Sequence, residues 1–141
     1  MDPTKRAWIC CSNAYTWRRE LVRLVKGQVR SSGIEIHETV ADLAERLRDR
    51  RDRVVLILVA ESPAMLASLL SIQDLMEDVP IILILPPWDE ELLRAAHKLI
   101  PRYISQGGAD LADVSMVLGN LLKRSRGNGA RILKASKDKG L

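Results

Sequence analysis

Val54-Val55-Leu56-Ile57-Leu58-Val59-Ala60 is an unbroken run of apolar, mostly branched residues. A strand with one wet face alternates apolar and polar side chains, whereas a run without alternation suits a strand buried on both faces. Parallel sheets covered by helices are built from such strands. Downstream, Ile81-Ile82-Leu83-Ile84-Leu85 has the same character, and upstream Ala7-Trp8-Ile9-Cys10-Cys11 reads as a first strand. Ile34-Glu35-Ile36-His37-Glu38 alternates, as a strand with a more exposed face would, so His37 is expected to point outward. Arg102-Tyr103-Ile104-Ser105 supplies a short fifth strand.

Helical signals fill the intervals. Ser12 or Asn13 is placed to cap a helix whose inner positions are Ala14, Trp17, Leu21 and Leu24 or Val25, with Gly27 to end it. Thr39 and Asp42 resemble a capping pair ahead of Val40, Leu43, Ala44 and Leu47. The mixed charges from Arg48 to Arg53 read as a solvated turn. Ser62-Pro63 gives a cap and a first-turn proline before Met65, Leu66, Leu69, Ile72 and Met76. Pro80 opens the fourth strand and Pro86-Pro87 closes it. Asp89-Glu90-Glu91 then suits the positive end of a helix that carries Leu92, Leu93, Ala96 and Ile100 and stops at Pro101. Gln106-Gly107-Gly108 turns the chain into a last helix on Leu111, Val114, Leu118, Leu121 and Leu122. Five strand–helix repeats predict a three-layer α/β domain with a doubly wound parallel sheet.

The chain has 141 residues, enough for one domain over residues 1–126 with a single core. Phenylalanine is absent, so that core is aliphatic. The net charge of +4 is uneven: residues 123–141 hold seven basic residues and one acid, leaving 15 basic and 17 acidic residues before them. Residues 127–141, past the Gly127-Asn128-Gly129 break, are expected to form a basic, flexible tail. Lys123, Arg124, Arg126, Arg131 and Lys134 are its candidate contacts for nucleic acid or another acidic surface. The tail lacks aromatics, hence a stacking platform. The two cysteines are neighbours, which disfavours a mutual bridge, and no metal-ligand spacing is present. With no signal peptide, no membrane-spanning apolar stretch and no cofactor motif, a cytoplasmic protein without metal or cofactor is expected.

The order and certain residues resemble one family. Gly33-Ile34-Glu35-Ile36 before a helix and the Val54–Val59 run resemble the front half of a bacterial response-regulator receiver domain. Asp78-Val79-Pro80-Ile81-Ile82-Leu83-Ile84, Asp89-Glu90-Glu91-Leu92 and Arg102-Tyr103-Ile104-Ser105-Gln106-Gly107 resemble its back half. The resemblance spans roughly residues 6–124 and implies a flavodoxin-like sheet of order 2-1-3-4-5. It also implies a phosphorylation pocket: two acids after the first strand for a divalent cation, an aspartate after the third, a hydroxyl after the fourth and a lysine after the fifth. Here those positions fall on Cys10, Cys11 or Ser12, on Val59, on Leu85 and on Gln106, none of which performs the family's step. Glu61 is the one acid near the acceptor position, either as a fixed charge in its place or as a carboxylate beside a helix N-terminus.

These residues point to a degenerate receiver: a non-enzymatic, phosphorylation-independent interaction module of bacterial two-component signalling. By resemblance, the face of the fourth helix, fifth strand and fifth helix would meet an unidentified protein partner or a second copy. Trp88, Arg94, Lys98, Arg102 and Tyr103 are its candidate residues. Two alternatives stand beside it. One is a small phosphate-handling enzyme with Cys10 or Cys11 as nucleophile before a helix N-terminus. Its expected arginine is missing, since Thr16 or Trp17 stands at the required spacing and Arg18 falls one residue late. The other is a nucleic-acid adaptor acting through the tail. His37 and His97 have no acid and nucleophile at a recognisable spacing.

Overall fold

In a computed structural model of the chain, residues 3–87, 89–106 and 111–123 are described. Five strands, β1 (Ala7–Cys10), β2 (Ile34–His37), β3 (Val55–Val59), β4 (Ile81–Ile84) and β5 (Tyr103–Ser105), form one parallel sheet in the order β2-β1-β3-β4-β5. Helices α1 (Arg18–Lys26), α2 (Val40–Arg48), α3 (Pro63–Ser71), α4 (Glu90–Ala96) and α5 (Ala112–Lys123) make the crossovers. The expected α/β class, parallel sheet and strand order are all present.

The pleat divides the core. Trp8, Cys10, Leu56, Leu58, Ile81, Leu83 and Leu85 face the α2, α3 and α4 layer. Ala7, Ile9, Cys11, Val55, Ile57, Val59, Ile82 and Ile84 face α1 and α5. Both faces of β1, β3 and β4 are dry, which is why their sequences show no alternation. Gly33 allows the chain entering β2 to pass against β1, since a Cβ there would lie 2.5 Å from the Lys5 carbonyl oxygen.

Three helices start where the sequence places them. Thr39, Ser62 and Asp89 each accept a hydrogen bond from the backbone N–H three residues on. Four expectations need correction. α1 begins at Arg18, with no side-chain cap, and Ala14 is exposed. Residues 12–15 instead make a turn, closed by Tyr15 N–H donating to the Ser12 carbonyl and Ala14 N–H donating to Ser12 Oγ. On β2, Glu35 and His37 turn toward Trp8 while Ile36 is left 38% exposed. The cause is a set of local partners: Arg46 binds Glu35 at 2.7 Å and stacks 4.7 Å over Trp8, and His37 meets Glu35 at 3.1 Å.

The fourth helix ends at Ala96 in a 3-10 turn, and Ile100 lies 70% exposed at φ 52°, so it is no core position. Within the charged run, Arg50 reaches out to chelate Asp78 at 2.9 and 3.1 Å.

Candidate functional site

The carboxyl ends of β1, β3 and β4 converge on one rim, and the ladder runs one step past each strand to fix it. Cys11 N–H donates to the His37 carbonyl, Ala60 N–H to Ile84 and Leu85 N–H to Ser105, at 3.0, 3.0 and 2.8 Å. An open cavity of about 200 Å³ lies there, bounded by Tyr15, Thr16 and Trp17 on one side and by Val59, Glu61, Leu85 and Pro86-Pro87 on the other. Its walls are mostly apolar, and among the described residues Glu61 is the one charged side chain that lines it.

Of the residues singled out in the sequence, Val59, Glu61 and Leu85 come together at this cavity. Cys10 does not: the pleat turns it to the other face of the sheet, where its thiol lies 3.8 Å from the Thr39 carbonyl oxygen. Cys11 faces the α1 and α5 layer and is fully buried. Ser12 holds the turn after β1, and Gln106 is exposed beyond β5. Glu61 is exposed one residue ahead of the Ser62 cap and pairs with no described residue.

Electrostatics sets the chemistry of this rim. Burial, then the charges of Cys11 and Asp42, pushes the Cys10 thiol up to about 12. Burial also raises Cys11, reinforced by Glu61 and Glu38 and opposed by Arg18. Both cysteines are therefore protonated hydrophobes at neutral pH, contrary to the activation a nucleophile needs. Arg18, the nearest basic group on α1, is held by Asn13 at 2.7 Å and by Glu38 at 3.1 Å. Tyr15 is 9% exposed and its hydroxyl has no hydrogen-bond partner, with the phenol driven to about 12 by burial and then by Cys11 and Glu61. Sequence reasoning missed Tyr15, which lies outside any periodic pattern. Among the described residues, no three His, Cys, Asp or Glu side chains gather to hold a metal ion.

The second candidate surface is the α4-β5-α5 side. Arg94 and Lys98 are exposed there. Arg102 is half-buried, and burial lowers its pKa. Tyr103 donates its hydroxyl to Asp113 Oδ2 at 2.9 Å, so it ties β5 to α5. Met116, unnoticed in the sequence, and Ile100, expected as an inner position of the fourth helix, are 68% and 70% exposed. Trp88 and the tail residues Arg124, Arg126, Arg131 and Lys134 lie outside the described residues, as does the Gly107-Gly108 turn; Lys123 closes α5 and is exposed. Among the described residues no helix is long and apolar enough to cross a membrane.

No protein-family model matches the chain, and a search of curated proteins finds no significant match. Solved structures do match. FixJ-N superposes with a TM-score of 0.62 at 18% identity, covering 84% of this chain and 94% of that one. A LuxR family DNA-binding response regulator from Silicibacter pomeroyi gives 0.57 at 19%, covering 93% and 92%. The Mn(2+)-bound form of the response regulator Rcp1 gives 0.57 at 11%, covering 87% and 96%. The fold is thus receiver-like.

Proposed function

We propose that this chain is a degenerate receiver, a regulatory module of signal transduction that works by binding a protein partner and is not phosphorylated. The observation that carries the proposal is the makeup of the rim. At the receiver positions stand two buried cysteines held protonated, Val59, Leu85 and Gln106, with Glu61 as the lone carboxylate among the described residues of the cavity wall. A phosphoryl-transfer site needs an acceptor carboxylate and a hard cation held by several oxygens. One of the similar structures is a Mn(2+)-bound response regulator; one glutamate beside apolar walls is a poor match to such a centre. The protonated thiols argue against a cysteine nucleophile, and the module is taken as non-enzymatic.

The α4-β5-α5 side is the proposed partner surface. Ile100 and Met116 offer apolar area, Arg94 and Lys98 offer cationic flanks, and a second copy of the chain is one candidate partner. Incubation with acetyl phosphate and Mg²⁺, followed by intact-mass measurement, tests the proposal directly. An unchanged mass is expected, and a stoichiometric phosphoryl adduct refutes it. Sedimentation of the wild type against the Arg94→Glu, Lys98→Glu double variant tests the second-copy assignment.

A further inference from the structure

We propose that the cavity at the ends of β3 and β4 is a socket for one arginine side chain of a protein partner. This rests on the view of the rim as an interaction site rather than a phosphorylation pocket, and it names what the rim recognises. Size comes first. At about 200 Å³ the cavity is below the roughly 300 Å³ at which small-molecule sites usually begin, so it fits one side chain better than a cofactor.

Charge decides the sign of the guest. Glu61 is exposed on the wall and pairs with no described residue. Its full negative charge exceeds the roughly half charge at the start of α3, so an anion is repelled and a cation favoured. The basic group at the start of α1, Arg18, is already held by Asn13 and Glu38.

Hydrogen bonding then selects the head group. A guanidinium offers five N–H donors in one plane, enough to meet both oxygens of the Glu61 carboxylate side by side, a two-bond fit that an ammonium group lacks. The Trp17 indole at the same wall is a surface on which that plane can stack. Leu85 and Pro87 give the methylene stem an apolar bed.

The test is an NMR titration of the full chain with N-acetyl-Gly-Arg-Gly amide, butylguanidinium and butyrate. The peptide and butylguanidinium are expected to shift Thr16, Trp17, Glu61 and Leu85 saturably, and butyrate is expected to leave them in place. Glu61→Gln should weaken the peptide at least tenfold. Equal binding of butyrate, or indifference to Glu61→Gln, overturns the socket. Binding of butylguanidinium without the peptide overturns the protein source and assigns a free small cation. Absence of any saturable binding overturns the socket alone, because the interaction-module reading falls separately, on a phosphoryl adduct.

Discussion

Thiol chemistry gives the most direct measure of the rim. Cys10 is driven from the ordinary 9.0 to about 12, so below pH 9 its thiolate fraction is about a thousandfold lower than that of a free thiol. Cys11 shifts in the same direction, and both side chains are fully buried, so a reagent also has to wait for an opening of the structure. Ellman's reagent at pH 8 is therefore expected to find two reactive thiols in guanidinium chloride and none in the native chain on the mixing timescale. Native protection of Cys10 should reach at least about a thousandfold. The same shift makes a second, thermodynamic statement. The unfolded chain releases the Cys10 proton near pH 9, while the native chain holds it until about 12. Stability is then undiminished below pH 9 and falls as the pH rises from 9 to 12, by of the order of 1.4 kcal/mol per pH unit for this thiol. Tyr15 and Tyr103, both raised from 10.0 to about 12, steepen the upper part of that fall. Rapid stoichiometric labelling of native protein, or denaturation midpoints that stay level from pH 9 to 12, would refute the reasoning and revive a cysteine nucleophile.

Three further outcomes follow from single positions. Gly33→Ala would place its Cβ 2.5 Å from the Lys5 carbonyl oxygen and 3.1 Å from Val29 Cγ1, so urea unfolding should show a loss of about 1–3 kcal/mol. Ile100→Gly removes a branched side chain from φ 52° where it is 70% exposed; chemical denaturation should show a gain of up to about 1 kcal/mol, and a loss would mean that the side chain packs. Thr39→Ala deletes the hydroxyl that accepts the Asp42 N–H at 3.1 Å, for a loss of about 1 kcal/mol in the same assay, whereas Thr39→Ser should keep most of it.

Much of the fold was legible because burial on both faces leaves an unambiguous trace. A sheet covered by two helical layers accounts for runs such as Val55–Val59 and Ile81–Ile84. The caps at Thr39 and Ser62 were legible because a short polar side chain there satisfies a specific orphan N–H, whereas the Asp89-Glu90-Glu91 charges marked a helix start without revealing Asp89 as its cap. Periodicity, however, gives the spacing of a pattern and not which side faces inward. On β2 the pair Glu35 and His37 went inward because Arg46 and Trp8 were waiting there, a partnership between residues distant in sequence. Ser12 could cap a helix or close a turn, and the turn won, which seated Tyr15 in the rim. No local signal distinguishes those two uses of a serine. The strand-end residues were legible as a set, but their division was a matter of pleat: Cys10 and Cys11 were bound to face opposite layers, and only Cys11 lies on the layer that Val59 faces.

That division bears on why the rim is better understood as a settled structure than as a working pocket lacking a few groups. Val59 is 2% exposed and packs in the α1 and α5 layer beside Ile57 and Ile84. An aspartate in its place would be a carboxylate in apolar surroundings, with Glu61 rather than a cation as the charge on the adjoining cavity wall. Such a group costs several kcal/mol unless it is paired, against a typical total of about 5–15 kcal/mol for a domain. Cys10→Asp would fare no better, since its side chain enters the opposite layer among Trp8, Leu58 and Leu83, away from the cavity. Neither substitution by itself rebuilds a cation site at low cost. The apolar residues at the strand ends extend the core up to the rim, and Glu61 at the wall is left as the charge available for recognition.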